Sequence, residues 1–124
     1  MFFPGYVGGT EKFKWLRSCT LYALPTYYPE GMPVALLEAM GAGKPLLTGR
    51  AGVIPHIIAD PENGVVLDKV TADTVEAALR RMLGDPDYCR EAGKRNAAYA
   101  WKRFEAASVT AEIEALYREI ARQP

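Results

Sequence analysis

An α/β fold, a short parallel sheet with helices on its faces, is what the sequence predicts, and three observations carry that prediction. Short β-prone runs, "TLYALP", "KPLLTG" and "VVL", alternate with segments of helical periodicity. Turn residues punctuate the junctions, as at Gly41, Gly43 and the run Asp60-Pro61-Glu62-Asn63-Gly64. With 124 residues, 49% of them apolar, the chain can bury one core and has no room for a second full domain.

Taken in order, "MFFPGYV" reads as a buried strand at the N-terminus, stopped by Gly8 and Gly9. "TEKFKWLRS" predicts a short helix with Thr10 as N-cap and Phe13 and Leu16 on one side. "TLYALP" is a strand ending at Pro25, and the loop "TYYPEG" leads to a helix. Pro33 suits the first helical position, where its missing N–H is not needed, and the helix runs to about Gly41 or Gly43. "KPLLTG" is the next strand, "VIPHIIA" a turn or short helix, and "VVL" a strand after the Asx-rich turn. "TADTVEAALRRMLG" follows as a helix with Thr71 as N-cap, Val75, Ala78, Leu79, Met82 and Leu83 at helical spacing, and Gly84 as its stop. Asp85-Pro86 restarts a helix, and a last one from about Ala106 carries Val109, Ile113, Leu116, Tyr117 and Ile120 on one stripe, expected to face the core.

Charge excludes little and directs little: Lys plus Arg and Asp plus Glu are 15 each, so nothing points to nucleic acid. The distribution is uneven, since residues 80–103 hold seven bases (Arg80, Arg81, Arg90, Lys94, Arg95, Lys102, Arg103) against three acids. A solvated helix face accounts for this, and a surface meeting a membrane or an anionic ligand is the other reading. Cys19 and Cys89 form no disulfide framework or metal-ligand spacing, which suits a reducing cytoplasm. No apolar run reaches the roughly 18 residues that span a bilayer, and "MFFPGYVGGTEK" lacks the layout of a signal peptide. The expectation is a soluble cytoplasmic protein, with peripheral membrane contact left open.

The stretch "YYPEGMPVALLEAMGAGKP" places two carboxylates, Glu30 and Glu38, around an almost wholly apolar segment. Glu30 falls at the helix mouth, and Glu38 five residues beyond Pro33, about 7.5 Å along the axis at ~1.5 Å per residue. That is comparable to the span from a diphosphate to the ribose bearing it. The free N–H groups of Val34, Ala35 and Leu36, at the positive end of the helix, make a site for a phosphate. Glu38 is the sole charged side chain from Gly31 to Gly43, so packing desolvates it, and vicinal sugar hydroxyls would satisfy it. The structural alternative is that Glu38 accepts from loop amides or pairs with Lys44 or Arg50, and that Glu30 is a plain loop residue. "GAGKP" is not a phosphate loop of the Walker kind, because Pro45 follows Lys44 and Glu38 stands where the first glycine belongs.

The stretch "LPTYYPEGMPVALLEAMGAGKPLLTGRAGVIPHIIADPENGVVL" resembles the donor-binding domain of GT-B glycosyltransferases of the group 1 (family 4) type. The resemblance lies in E-x7-E followed by A-M-x-x-G-x-P, then a G-x-I-P turn and an N-G turn before the next strand. Looser similarity extends over "FPGYVGGTEKFKWLRSCTLYALP" and "GDPDYCREAGKRNAAYAWKRF". It implies a partial Rossmann-like sheet and the retaining transfer of a sugar from a UDP- or GDP-linked donor, with no required metal or other cofactor. Glu30 would then be catalytic, facing the donor sugar near the reaction centre, and Glu38 would hold the ribose hydroxyls. Backbone around Gly31, Met32, Val34 and Ala35 would meet the sugar and diphosphate, and Gly5, Tyr6 and Val7 would border the base.

Two departures stand out: Pro33 where many members have Gly, and His56 where the turn commonly has Glu. His56 is the only histidine and reads as a structural or surface residue. The resemblance also implies an acceptor-binding N-terminal domain and a basic pair that neutralises the leaving diphosphate, and the sequence holds neither. Residues 1–124 are therefore expected to be one incomplete donor-binding domain, about a third of such an enzyme. Two strands of a sheet ordered 3-2-1-4-5-6 would be missing between "MFFPGYV" and "TLYALP". The expected outcomes are direct pairing of those two strands, association with another copy or a partner chain, or a fragment of a longer product. Activity would then need the rest of the enzyme from another chain, the alternative being a noncatalytic nucleotide-sugar-binding or interaction domain.

Overall fold

The computed structural model describes residues 2–29, 31–58 and 61–122. Along them run α1 (Gly9–Ser18), β1 (Tyr22–Leu24), α2 (Val34–Gly41), β2 (Leu46–Gly49), α3 (Ile54–Ile57), β3 (Gly64–Leu67), α4 (Ala72–Leu83), α5 (Pro86–Phe104) and α6 (Ala106–Ile120). The strands form one parallel sheet in the order β1-β2-β3, with Tyr22 opposite Leu46 and Leu46 opposite Gly64. The expected α/β class with flanking helices is what is observed.

Strand alternation divides the core in two. Leu46 and Val66 pack with Leu16, Leu36, Met40 and Ile54, whereas Leu47 and Val65 pack with Ala78, Met82 and Cys89. A parallel strand covered on both faces carries no polar alternation, which is why all four residues of β2 are buried. Each large apolar side chain so enclosed contributes about 1.5–3 kcal/mol. The one buried hydroxyl in β2, that of Thr48, is satisfied by donating to the Leu24 carbonyl at 2.9 Å.

Helix ends follow the sequence signals where side chains do the capping. The Thr71 hydroxyl accepts from the Thr74 amide at 3.2 Å, and the Thr74 hydroxyl accepts from the Thr71 amide at 2.9 Å. Asp85 caps α5 by accepting from the Tyr88 amide at 2.8 Å, with Pro86 at the first helical position.

At the N-terminal edge of the sheet, α5 is clamped to two turns. Asn96 is fully buried, and its side-chain amide donates to the Lys44 and Asn63 carbonyls, both at 2.7 Å, while its oxygen accepts from Asn63 Nδ2 at 2.7 Å. One turn earlier, a Cβ on Gly93 would lie 2.2 Å from the Gly43 carbonyl oxygen, so this crossing requires glycine. Gly43 itself has φ +71, the left-handed turn into β2 that the sequence places there.

Four expectations are corrected. Residues 2–8 form no strand and pair with nothing in the sheet; Pro4 has no N–H to give, Gly5 turns left-handed at φ +73, and the Phe2 ring stacks on Trp15 at 5.9 Å. The first helix begins at Gly9 with Gly8 as its cap, earlier than a start at Thr10. Pro33 is the cap of α2 rather than its first residue, its ψ of 100 being extended. The stripe Val109, Ile113, Leu116, Tyr117 and Ile120 is exposed, from 36% at Val109 to 70% at Tyr117, and α6 buries no residue. Leu83, at the end of α4, is likewise 55% exposed. On its side away from β2, β1 has no strand neighbour among the described residues.

Candidate functional site

In parallel α/β sheets ligands bind at the carboxyl ends of the strands. Here the loop from Pro25 to Pro33 leaves the end of β1 and feeds α2. Its first turn is braced internally: the Thr26 amide donates to the Leu24 carbonyl at 2.8 Å, and the Tyr28 amide to the Thr26 hydroxyl at 3.2 Å. A Cβ on Gly49 would lie 1.9 Å from the Thr26 carbonyl oxygen, so the end of β2 presses directly on this loop. Tyr27 and Tyr28 stand exposed with hydroxyls 3.2 Å apart and ring centroids at 4.4 Å, and that hydrogen bond raises the Tyr27 phenol above its ordinary range. Glu30, the expected catalytic acid, lies outside the described residues. Gly31 and Met32 are exposed, with open space around the position of a Gly31 Cβ.

The mouth of α2 offers two amide donors. The amide of Leu36, expected to be free, donates to the Pro33 carbonyl at 2.9 Å, and the Leu37 amide reaches the same oxygen at 3.4 Å. The amides of Val34 and Ala35 have no hydrogen-bond partner among the described residues. They sit at the positive end of the helix dipole, an arrangement suited to an anion. With the helix starting at Val34, Glu38 lies four residues on, about 6 Å along the axis.

Glu38 pairs with neither Lys44 nor Arg50. Lys44 donates to the Arg17 carbonyl at 2.8 Å, and Arg50 pairs with Asp68 across the ends of β2 and β3. The partner of Glu38 is Lys12 of α1, Nζ to Oε1 at 2.5 Å, with the carboxylate side chain 25% exposed. Its second oxygen, Oε2, has no partner among the described residues, and no buried side-chain oxygen there is left unpaired, so Oε2 is open to solvent. The Lys12 ammonium also lies 5.2 Å from the centre of the Phe13 ring. Tyr22 is close enough to feel the pair: burial, then the Glu38 and Cys19 charges, push its phenol up, against a smaller lowering by Lys12. Phe13, Arg17, Glu38, Gly41, Ala42 and Trp101 line a cleft of about 270 Å³ on this side of α2.

Gly5, Tyr6 and Val7 precede α1, with Tyr6 98% exposed and Val7 half-buried. No hydrogen bond or ion pair among the described residues joins them to Val34, Ala35 or Glu38. Along α2, then, lie the Val34 and Ala35 amides at its start and Glu38 about one turn on, with Lys12, unforeseen, on that carboxylate. Twenty-six positions separate Lys12 from Glu38, so no local spacing could have signalled it.

Elsewhere four of the seven bases in 80–103 form ion pairs. Arg80 pairs with Glu76 at 2.8 Å, Arg90 with Asp87 at 2.6 Å, Lys94 with Glu91 at 2.9 Å and Arg103 with Glu112 at 3.1 Å. His56 is exposed at the end of α3. Among the described residues no helix is long and apolar enough to cross a membrane.

Comparison with known proteins supplies the family. The family described as "Glycosyl transferases group 1" matches residues 1–99. The MMP alpha-(1->4)-mannosyltransferase of Mycolicibacterium hassiacum is 32% identical over 105 residues, covering 84% of this chain and 25% of that protein. Among solved structures, the sucrose-phosphate synthase of Thermosynechococcus elongatus superposes with a TM-score of 0.79 at 24% identity, covering 86% of this chain and 26% of the other. Anabaena HepE, solved in complex with UDP-glucose, gives a TM-score of 0.79 at 20% identity, covering 86% and 29%. The chain thus spans about a quarter of the length of the relatives it matches. The match over residues 1–99 and the identity to the mannosyltransferase place the sequence, and the solved structures agree in fold: the chain belongs to the group 1 glycosyltransferases, of GT-B fold.

Proposed function

We propose that this chain supplies the donor-binding portion of a retaining glycosyltransferase that uses a UDP- or GDP-linked sugar. The observation that carries the reading is the pairing, on one helix, of two unpartnered amides at Val34 and Ala35 with a carboxylate one turn on whose Oε2 is open. The diphosphate lies against the amides, and Glu38 accepts from the ribose hydroxyls. Gly31 and Met32 border the sugar, Glu30 faces its hydroxyls near C1, and Gly5, Tyr6 and Val7 border the base. In the transfer, the bond from sugar C1 to the diphosphate breaks and one from C1 to an acceptor hydroxyl oxygen forms on the same face. The hydroxyl proton passes to the leaving phosphate, whose developing charge the amides stabilise. Acceptor binding and neutralisation by a basic pair fall to parts outside residues 1–124, in the same protein or a second chain.

A noncatalytic binding or interaction domain is the second reading, favoured by the unpaired edge of β1 and the exposed stripe of α6. Peripheral contact with anionic lipid would act through Arg81, Arg95 and Lys102, the bases of 80–103 outside the ion pairs found among the described residues. Calorimetric titration with UDP-glucose and GDP-mannose, of the parent chain and of Glu38→Ala, tests the donor site. Saturable binding that Glu38→Ala weakens at least about tenfold supports it, that being the scale of one or two lost hydrogen bonds. Absence of binding to either nucleotide sugar, or equal binding by the variant, rules it out.

A further inference from the structure

Glu38 is held from outside its own helix, and we infer that Lys12 is a positioning residue that orients the Glu38 carboxylate for ribose recognition; the inference rests on the donor-site reading above. A glutamate on a helix surface has three rotatable bonds, and ordering it on ligand binding costs up to about 1.5–2 kcal/mol. Lys12 removes much of that freedom in advance. It belongs to α1, which is anchored by Leu16, only 6% exposed, in the core shared with Leu36 and Met40 of α2. Its Nζ grips Oε1 alone, at 2.5 Å, and Oε2 is left open. A carboxylate offers about four acceptor sites and an ammonium three donors, so this single contact leaves room for a pair of vicinal hydroxyls. Lys12 therefore holds the carboxylate without competing for it. The Phe13 ring lies 5.2 Å from Nζ, and the Tyr22 phenol is near enough to respond to both charges.

The test measures the affinity of the whole chain for UDP or GDP and for the corresponding 2′-deoxynucleotide, in the parent and in Glu38→Ala, Lys12→Met, Lys12→Arg and the double variant Lys12→Met/Glu38→Ala. If the parent does not prefer the ribonucleotide, or Glu38→Ala keeps the preference, the donor-site reading fails whatever Lys12 does. With that preference shown to depend on Glu38, Lys12→Met is expected to lower ribonucleotide affinity about five- to tenfold, leaving the 2′-deoxy affinity within about twofold. Lys12→Arg restores most of the preference, and Lys12→Met adds nothing once Glu38 is alanine. A Lys12→Met chain that melts like the parent and keeps its full ribose preference overturns the inference. So does one that binds the ribonucleotide more tightly, since Lys12 would then be a competitor for Glu38.

Discussion

Replacing Asn96 by aspartate changes one buried atom from donor to acceptor, and the structure sets the size of the consequence. Asn96 is fully buried and makes three side-chain hydrogen bonds of 2.7 Å, two of them donated to the Lys44 and Asn63 carbonyls. At about 1 kcal/mol net per hydrogen bond, Asn96→Ala loses roughly 3 kcal/mol. For a chain of this size that is a fall of about 12 °C in Tm, at ~4 °C per kcal/mol. Asn96→Asp keeps the shape and still accepts from Asn63 Nδ2, but turns a carboxylate oxygen toward two carbonyls. The added cost is about 1–3 kcal/mol, so the near-isosteric variant should be less stable than the truncation. Thermal and urea unfolding followed by far-UV circular dichroism read both. An aspartate variant melting within about 2 °C of the parent would refute the claim that Asn96 clamps α5 through its two donated bonds.

Other outcomes follow from the same geometry. Gly93→Ala places a Cβ 2.2 Å from the Gly43 carbonyl oxygen and should destabilise by about 1–3 kcal/mol, whereas Gly31→Ala, with open space around it, should leave the melt unchanged. Ile113→Glu and Leu116→Glu on the exposed stripe of α6 should shift stability by less than about 0.5 kcal/mol while reducing any self-association seen by analytical ultracentrifugation. Burial raises the Cys89 thiol above 9.0 and the Tyr22 phenol above 10.0, so the folded chain holds those protons longer than the unfolded chain. Their contribution is full below those unfolded values and is lost as pH rises through the folded ones, so Tm should fall on alkaline titration and Cys89→Ala should remove part of that slope.

Much of this architecture was legible in local signals. The strands around Leu24, Leu47 and Val66, the Thr71 and Asp85 caps and the glycine turn at Gly43 all depend on neighbours a few residues away. What was misread depends on partners that a linear pattern does not name. "MFFPGYV" has the composition of a strand, yet Pro4 and the left-handed Gly5 interrupt it, and the Phe2 ring stacks on Trp15 of α1 instead. The stripe on α6 was correctly amphipathic, yet periodicity states that one face is apolar and not what covers it. At the site, the two amides and Glu38 follow from a helix starting near Pro33. The Lys12 contact and the Asn96 clamp span 26 and up to 52 residues, and only the packing of α1 and α5 against α2 creates them.

The central claim is that a nucleotide's diphosphate and ribose lie along the first turn and a half of α2. Amide chemical shifts in a ¹⁵N-labelled chain, followed during titration with UDP and GDP, test it most directly. The account predicts saturable shifts largest at Val34 and Ala35, spreading to Glu38 and Lys12, and lost in Glu38→Ala. Shifts that centre instead on the opposite edge of the sheet, around Asn63 and Arg95, or none at any nucleotide concentration, would contradict it.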